Sequence, residues 1–309
     1  MALSDYLASE VCEDCGDGLI GRREALRRLG LLGVSAAAAT ALLSACSSDD
    51  DPPTAASTAS TAPPSTATSS PATSSATTAA AAAATGSSPV TFAGPAEELQ
   101  GWFAAAPSTR GAVLIIHENR GLTDHFKALP AHFASSGYSA LSIDLLSREG
   151  GTASFTDAAQ ATAALGAADE ERLIADVRAG LDELARRAPD TQMAIVGFCF
   201  GGGQVWSLLA AGEPRLAAAV PFYGPGPSGA DFSGSKVAVL GVYAELDTRV
   251  NGSKDAMDKA LTEAGLVHEL RVFPGVDHAF FNDTGARYDA TQAGAAYQAV
   301  LDWFAQHLH

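Results

Sequence analysis

Three side chains capable of acyl transfer occur in a fixed order along the chain: Cys199, then Asp247, then His278. Cys199 stands inside "VGFCFGGG", residues 196–203, a small apolar run that breaks into glycines. The pattern reads as a buried strand turning sharply into a helix. Gly197-Phe198-Cys199-Phe200-Gly201 matches the spacing G-x-S-x-G, which lifts a nucleophile to the tip of such a turn, with cysteine in place of serine. Glycines flank the tip because the strained turn and close helix–strand packing leave no room for side chains. A thiolate attacks an ester carbonyl well and departs easily on hydrolysis. A histidine can keep it ionised and later activate water, and an aspartate can fix the histidine tautomer. Singly, each residue has a plainer reading. A buried cysteine is commonly a small core hydrophobe, a histidine in "DHAF" can be structural, and Asp247 can cap a turn. The conjunction is what points to nucleophilic catalysis.

The elements that would position these residues are legible from residue 90 onward. "VTFAGPAEELQGWFAAAP" fits two antiparallel strands around a turn, and "GAVLIIHENRG" is a continuous apolar run of the kind that forms a buried parallel strand. A helix is expected over 124–136, a strand in "YSALSIDLL", and a helix over 167–187 from the spacing of Leu173, Val177, Leu181 and Leu184. Strands follow in "QMAIVGF", "LAAAVPFYG", "KVAVLGVYAELD" and "HELRVFPG", and "AAYQAVLDWFAQHL" closes the chain as a helix. Such alternation predicts an α/β fold, a mostly parallel central sheet with helices on both faces. Catalytic residues then collect beyond the carboxyl ends of the strands, where Cys199, Asp247 and His278 fall.

On these residues the chain resembles the dienelactone hydrolase family of α/β-hydrolases, over residues 90–309. "GFCFGG" is close to that family's cysteine elbow, "ELDTRV" sits where its acid does, and "GVDHAF" looks like its histidine motif. The resemblance implies an α/β-hydrolase fold and a Cys-His-Asp triad that cleaves an ester or lactone, as a carboxymethylenebutenolidase does. "HENRGL", residues 117–122, corresponds to a further signature, which implies that Glu118 contacts the thiol and helps form the thiolate; the plainer reading pairs Glu118 with Arg120. Oxyanion donors are expected in the backbone N–H groups of Phe200, at the helix start, and Asn119, on the earlier loop. In lactone-hydrolysing members an arginine four residues after the histidine grips the substrate carboxylate; that position is Asn282 here. Arg120, Arg148, Tyr223, Asn282 and Arg287 are the candidate substrate contacts. No metal or organic cofactor is called for.

Residues 1–89 differ from everything after them. Arg22 and Arg23 precede an apolar run that ends in Leu43-Ser44-Ala45-Cys46. Paired arginines suggest twin-arginine export of a folded protein, and the ending resembles a lipobox, with Cys46 lipidated and made the new N-terminus. Residues 1–46 are thus expected to be an export signal with an acidic N-terminal extension, and Cys12 and Cys15, a lone C-x-x-C, incidental residues of it. The alternative is an uncleaved apolar helix or anchor. Residues 47–89, rich in Ser, Thr, Ala and Pro, carry too few large apolar groups to fold, and as a flexible coil would reach roughly 35 Å. The expected location is the outer face of the bacterial cytoplasmic membrane, reached through the export machinery and held by the lipid. A formal charge of −16 argues against nucleic acid as a partner. The expected partner is a small ester or lactone; the rival class is a surface binding lipoprotein on an inactive hydrolase scaffold.

Overall fold

In the computed structural model, residues 3–45 and 86–308 are described. Cys46 and residues 47–85, the expected lipidation site and most of the expected tether, lie outside them. Residues 3–45 fold as three helices, α1 (Leu3–Gly16), α2 (Arg22–Leu31) and α3 (Ala36–Ala45). The rest runs β1 (Ser88–Ala93), β2 (Glu98–Ala104), β3 (Ala112–Ile116), α4 (Asp124–Ser135), β4 (Ser139–Asp144), α5 (Ala158–Ala167), α6 (Glu170–Arg187), β5 (Met193–Phe198) and α7 (Phe200–Ala210). It closes with β6 (Leu216–Phe222), β7 (Ala238–Ala244), α8 (Thr248–Asn251), α9 (Lys254–Glu263), β8 (His268–Phe273) and α10 (Ala290–His307).

The strands form one sheet in the order β1-β2-β4-β3-β5-β6-β7-β8. β1, β2 and β4 pair antiparallel in turn, and all other pairings are parallel. The expected α/β-hydrolase architecture is therefore present. Every residue of β3, β4, β5 and β7 is buried, as continuous apolar runs require when helices cover both faces. Residues 86–89, placed in the tether on composition, belong to the domain instead. Ser88 and Pro89 pair with Phe103 and Trp102, because an antiparallel partner supplies the backbone hydrogen bonds that their side chains do not advertise.

Helices α5 and α9 went unread in the sequence. α5 is alanine-rich with little amphipathic contrast, and α9 is half charged, burying only Met257 and Leu261. The larger surprise is the packing of residues 3–45. One side of α1 meets α2 and α3 in a small cluster of Ala8, Val11, Cys12, Ala25, Leu29, Ala39 and Leu43. Its other side sends Tyr6 and Leu7 into the main core of the hydrolase domain. No helix among the described residues is long and apolar enough to cross a membrane.

Candidate active site

Parallel pairing brings the carboxyl ends of β3, β5, β6, β7 and β8 to one edge, and the reactive groups follow those ends. Cys199 sits between β5 and α7 with φ 54° and ψ −115°. That left-handed backbone is strained for a side-chain-bearing residue and holds the thiol at the tip. The turn closes only because its neighbours are glycines. A Cβ on Gly201 would stand 2.5 Å from the Ile116 carbonyl oxygen, and one on Gly197 would stand 2.1 Å from that of Gly201. Tyr223 (φ 33°) and Ala279 (φ 62°) are two more of the four described non-glycine residues with positive φ. Both adjoin the same site, so backbone strain concentrates there.

Asp247 and His278 are fully buried and joined by a 2.6 Å hydrogen bond from Nδ1 to Oδ2. The other Asp247 oxygen accepts from the Val250 N–H at 3.0 Å, capping α8, so the aspartate caps a turn and orients the histidine at once. Burial pushes the Asp247 carboxyl up, but the His278 hydrogen bond and charge outweigh it and hold it below the usual carboxylate range. His278 goes the other way. Burial lowers it, yet Cys199 and the Asp247 hydrogen bond raise it well above an ordinary imidazole. Its Nε2 is buried and makes no hydrogen bond among the described residues, and a nitrogen of the ring lies within 4.8 Å of the Cys199 sulfur. Burial, and after it the charge of Glu10, pushes the Cys199 thiol up. Phe200 is the first residue of α7, so its N–H is one of the helix-start donors that lack an intrahelical acceptor.

Glu118 follows β3 as expected, but other groups hold its carboxylate. Tyr223 donates its hydroxyl to one oxygen at 3.1 Å, and Asn282 donates Nδ2 to the other at 2.8 Å. The loop carrying it is pinned by buried His117, whose Nδ1 meets the Glu118 carbonyl at 2.7 Å while Nε2 accepts from the Leu145 N–H at 3.1 Å. Asn282 and Tyr223, expected at the substrate, hold Glu118, and Asn282 also lines the cavity beside His278. The carboxylate lying against the thiol is Glu10 of α1, with both oxygens 3.6 Å from Sγ. Tyr6 of the same helix places its hydroxyl 3.3 Å from that sulfur. Glu10, Cys199 and His278 bring ligand-capable atoms within 4.8 Å of one another, which is where a metal ion would find three donors.

The remaining candidates divide. Asn119, Arg120 and Arg287 line a cavity of about 290 Å³ beside His278, together with Glu10 and Asp14. Arg287 there donates to Asp14 at 3.0 Å and to Asp17 at 2.6 Å. Arg120 is exposed on the rim and makes no ion pair with Glu118. Arg148 is not at the site: the buried Asp176 carboxylate draws it under α6 instead. Sequence reasoning missed Tyr6, Glu10 and Arg249. Their signal was present, since Tyr6, Glu10, Glu13, Asp14 and Asp17 recur at helical spacing and present one acidic face.

A family model for the dienelactone hydrolase family matches residues 100–308. Proteins named "Putative carboxymethylenebutenolidase" from Salmonella typhi and Yersinia pestis are 30% and 29% identical to the chain. The alignments cover 68% of this chain and 84% of the first, and 70% of this chain and 87% of the second. A Klebsiella pneumoniae crystal structure described as "Putative Dienelactone Hydrolase" superposes with a TM-score of 0.63 at 27% identity, over 71% of this chain and 98% of that one. Dienelactone hydrolase from Anabaena variabilis, 19% identical with a TM-score of 0.59, shares the fold over 72% of this chain and 98% of its own. With an elbow, a buried aspartate–histidine pair and a sheet of this order, the chain belongs to the dienelactone hydrolase family and is a hydrolase of esters or lactones.

Proposed function

We propose that the protein hydrolyses a small ester or lactone with Cys199 as nucleophile, His278 as general base and acid, and Asp247 as the group that orients the imidazole. The observation that carries this is the 2.6 Å Asp247–His278 hydrogen bond, which fixes Nδ1 as the protonated nitrogen and leaves Nε2 facing the thiol. His278 takes the thiol proton as sulfur bonds to the carbonyl carbon. The tetrahedral oxyanion is met by the Phe200 and Asn119 N–H groups, and the alkoxide leaves with the proton from His278. Water then gives His278 a proton and attacks the thioester, and the thiol departs. No step calls for a metal or an organic cofactor. A binding-only lipoprotein on this scaffold is the less favoured reading, since all three groups are in place. Turnover of activated aryl esters tests the proposal: Cys199→Ala abolishes it and Cys199→Ser keeps a trace, whereas undiminished hydrolysis by the alanine variant refutes it.

Export and anchoring belong to the same proposal. Arg22 and Arg23 are exposed at the start of α2, where an export receptor can read them, and the lipobox order supports a lipidated Cys46. Several acyl chains on one cysteine hold a protein at a membrane far better than one does. Mass spectrometry of the N-terminus after cell fractionation decides it: a cytoplasmic protein with residues 1–45 intact refutes export and leaves the chemistry standing.

A further inference from the structure

A hydrolase site must admit a carbonyl to within about 3–3.5 Å of its nucleophile. Here that space is filled from within the chain. Cys199 and His278 are each only 1% exposed, and the groups packed on the sulfur are Tyr6 and Glu10 of α1. Glu10 faces the sulfur evenly, with Oε1 also 3.9 Å from His278 Nε2, between nucleophile and base. A carboxylate has no leaving group, so it can stand there without being turned over.

The contact is built along the whole helix. Leu7 is 0% exposed within the main core. Arg249, two residues beyond Asp247, donates to Glu13 at 3.1 Å and lies 4.6 Å over the Tyr6 ring. Arg287 holds Asp14 and Asp17. Further out, Arg27 of α2 reaches Asp157 at 2.6 Å. Two arginines that adjoin the site, Arg249 and Arg287, thus hold acidic residues of one N-terminal segment.

We infer that residues 3–17 are an intramolecular inhibitor of the Cys199 site: α1 occupies the position of the acyl group, and the chain becomes competent only when the leader leaves. The inference rests on the proposed role of Cys199 as nucleophile. It also gives the acidic extension ahead of the paired arginines a function, which an export signal alone does not require. All three N-terminal helices lie before Cys46, the last of them ending at Ala45, so cleavage before Cys46 would detach the whole occupant and open the enzyme on arrival.

Two releasing variants of the full chain test this. Leu7→Asp removes the apolar anchor, and Glu13→Lys/Asp17→Lys sets like charges against Arg249 and Arg287 at partly exposed positions that leave the core intact. Circular dichroism verifies folding. Iodoacetamide alkylation of Cys199, located by peptide mass spectrometry apart from Cys12, Cys15 and Cys46, reports access, and aryl-ester turnover reports chemistry. A helix seated 99% of the time leaves about 1% of molecules competent, so release raises both rates by up to roughly a hundredfold, and by at least about tenfold in each variant. Faster alkylation without any ester turnover upholds the occlusion and overturns the esterase reading instead. Cys199 that reacts and turns over as fast in the unaltered chain as in both variants overturns the inhibitor.

Discussion

Replacing Asp247 with asparagine isolates the orienting role of that carboxylate. The side chain is fully buried, and asparagine matches its shape, so the Val250 N–H can still be capped by the amide oxygen. The amide nitrogen then faces His278 Nδ1, where the carboxylate oxygen now stands at 2.6 Å. It donates, Nδ1 must accept, and the imidazole proton moves to Nε2. Nε2 faces the thiol as a donor and can no longer take its proton. The loss expected for a wrong tautomer in such a triad is about 10⁴-fold in kcat/KM, or about 5.4 kcal/mol of transition-state stabilisation. Stability falls less, by about 1.5–3 kcal/mol, the value of a hydrogen bond to a charged group. The assay is kcat/KM on an activated aryl ester, in the unaltered chain and in the Glu13→Lys/Asp17→Lys chain, with Cys199→Ala as the floor. Asp247 has a lowered folded pKa, so its contribution to stability is complete above the unfolded value near 3.9 and is lost as pH falls through the folded value. The melting difference between wild type and Asp247→Asn therefore shrinks below about pH 4. A rate loss under tenfold in both backgrounds, with the fold intact, refutes the tautomer argument.

Gly201→Ala is expected to destabilise the domain by about 1–3 kcal/mol, read by chemical denaturation, because its Cβ meets the backbone oxygens of Ile116 and His117 at 2.5 and 2.6 Å, and neither can swing away. Cys199 in the full chain should alkylate with a pH midpoint above the ordinary thiol value of about 8.5, since burial and then Glu10 raise it; Glu10→Gln should lower that midpoint, and an unchanged profile would count against the contact. Because Asn282 commits its amide to Glu118 and Arg287 also keeps Asp277 at 3.7 Å, carboxylated lactones should gain little in kcat/KM over neutral analogues of equal size. A preference for the acid above roughly a hundredfold, about 2.7 kcal/mol, would show that a cation at the mouth grips the substrate.

The sequence by itself determined the succession of strands and helices along the chain: apolar runs at strand length, helical spacing between them, and an elbow whose flanking glycines mark a tight turn. Those signals are local, carried by residues within a turn or two of one another, and so they survive without coordinates. The order of Cys199, Asp247 and His278 was legible for the same reason, since each follows its own strand. What only the tertiary structure decided are contacts between segments far apart in the chain. Asn282 and Tyr223, read as substrate contacts, also hold Glu118, and Arg148, read as a candidate cation, answers Asp176, because a buried carboxylate takes whichever donor packing brings within reach. Glu10 lies 189 residues from the cysteine it touches, and its helix looked like discarded leader. No periodicity links those two positions. Only the closing of α1 over the carboxyl edge of the sheet sets an acidic side chain on the nucleophile, and that closure is a property of the packed fold.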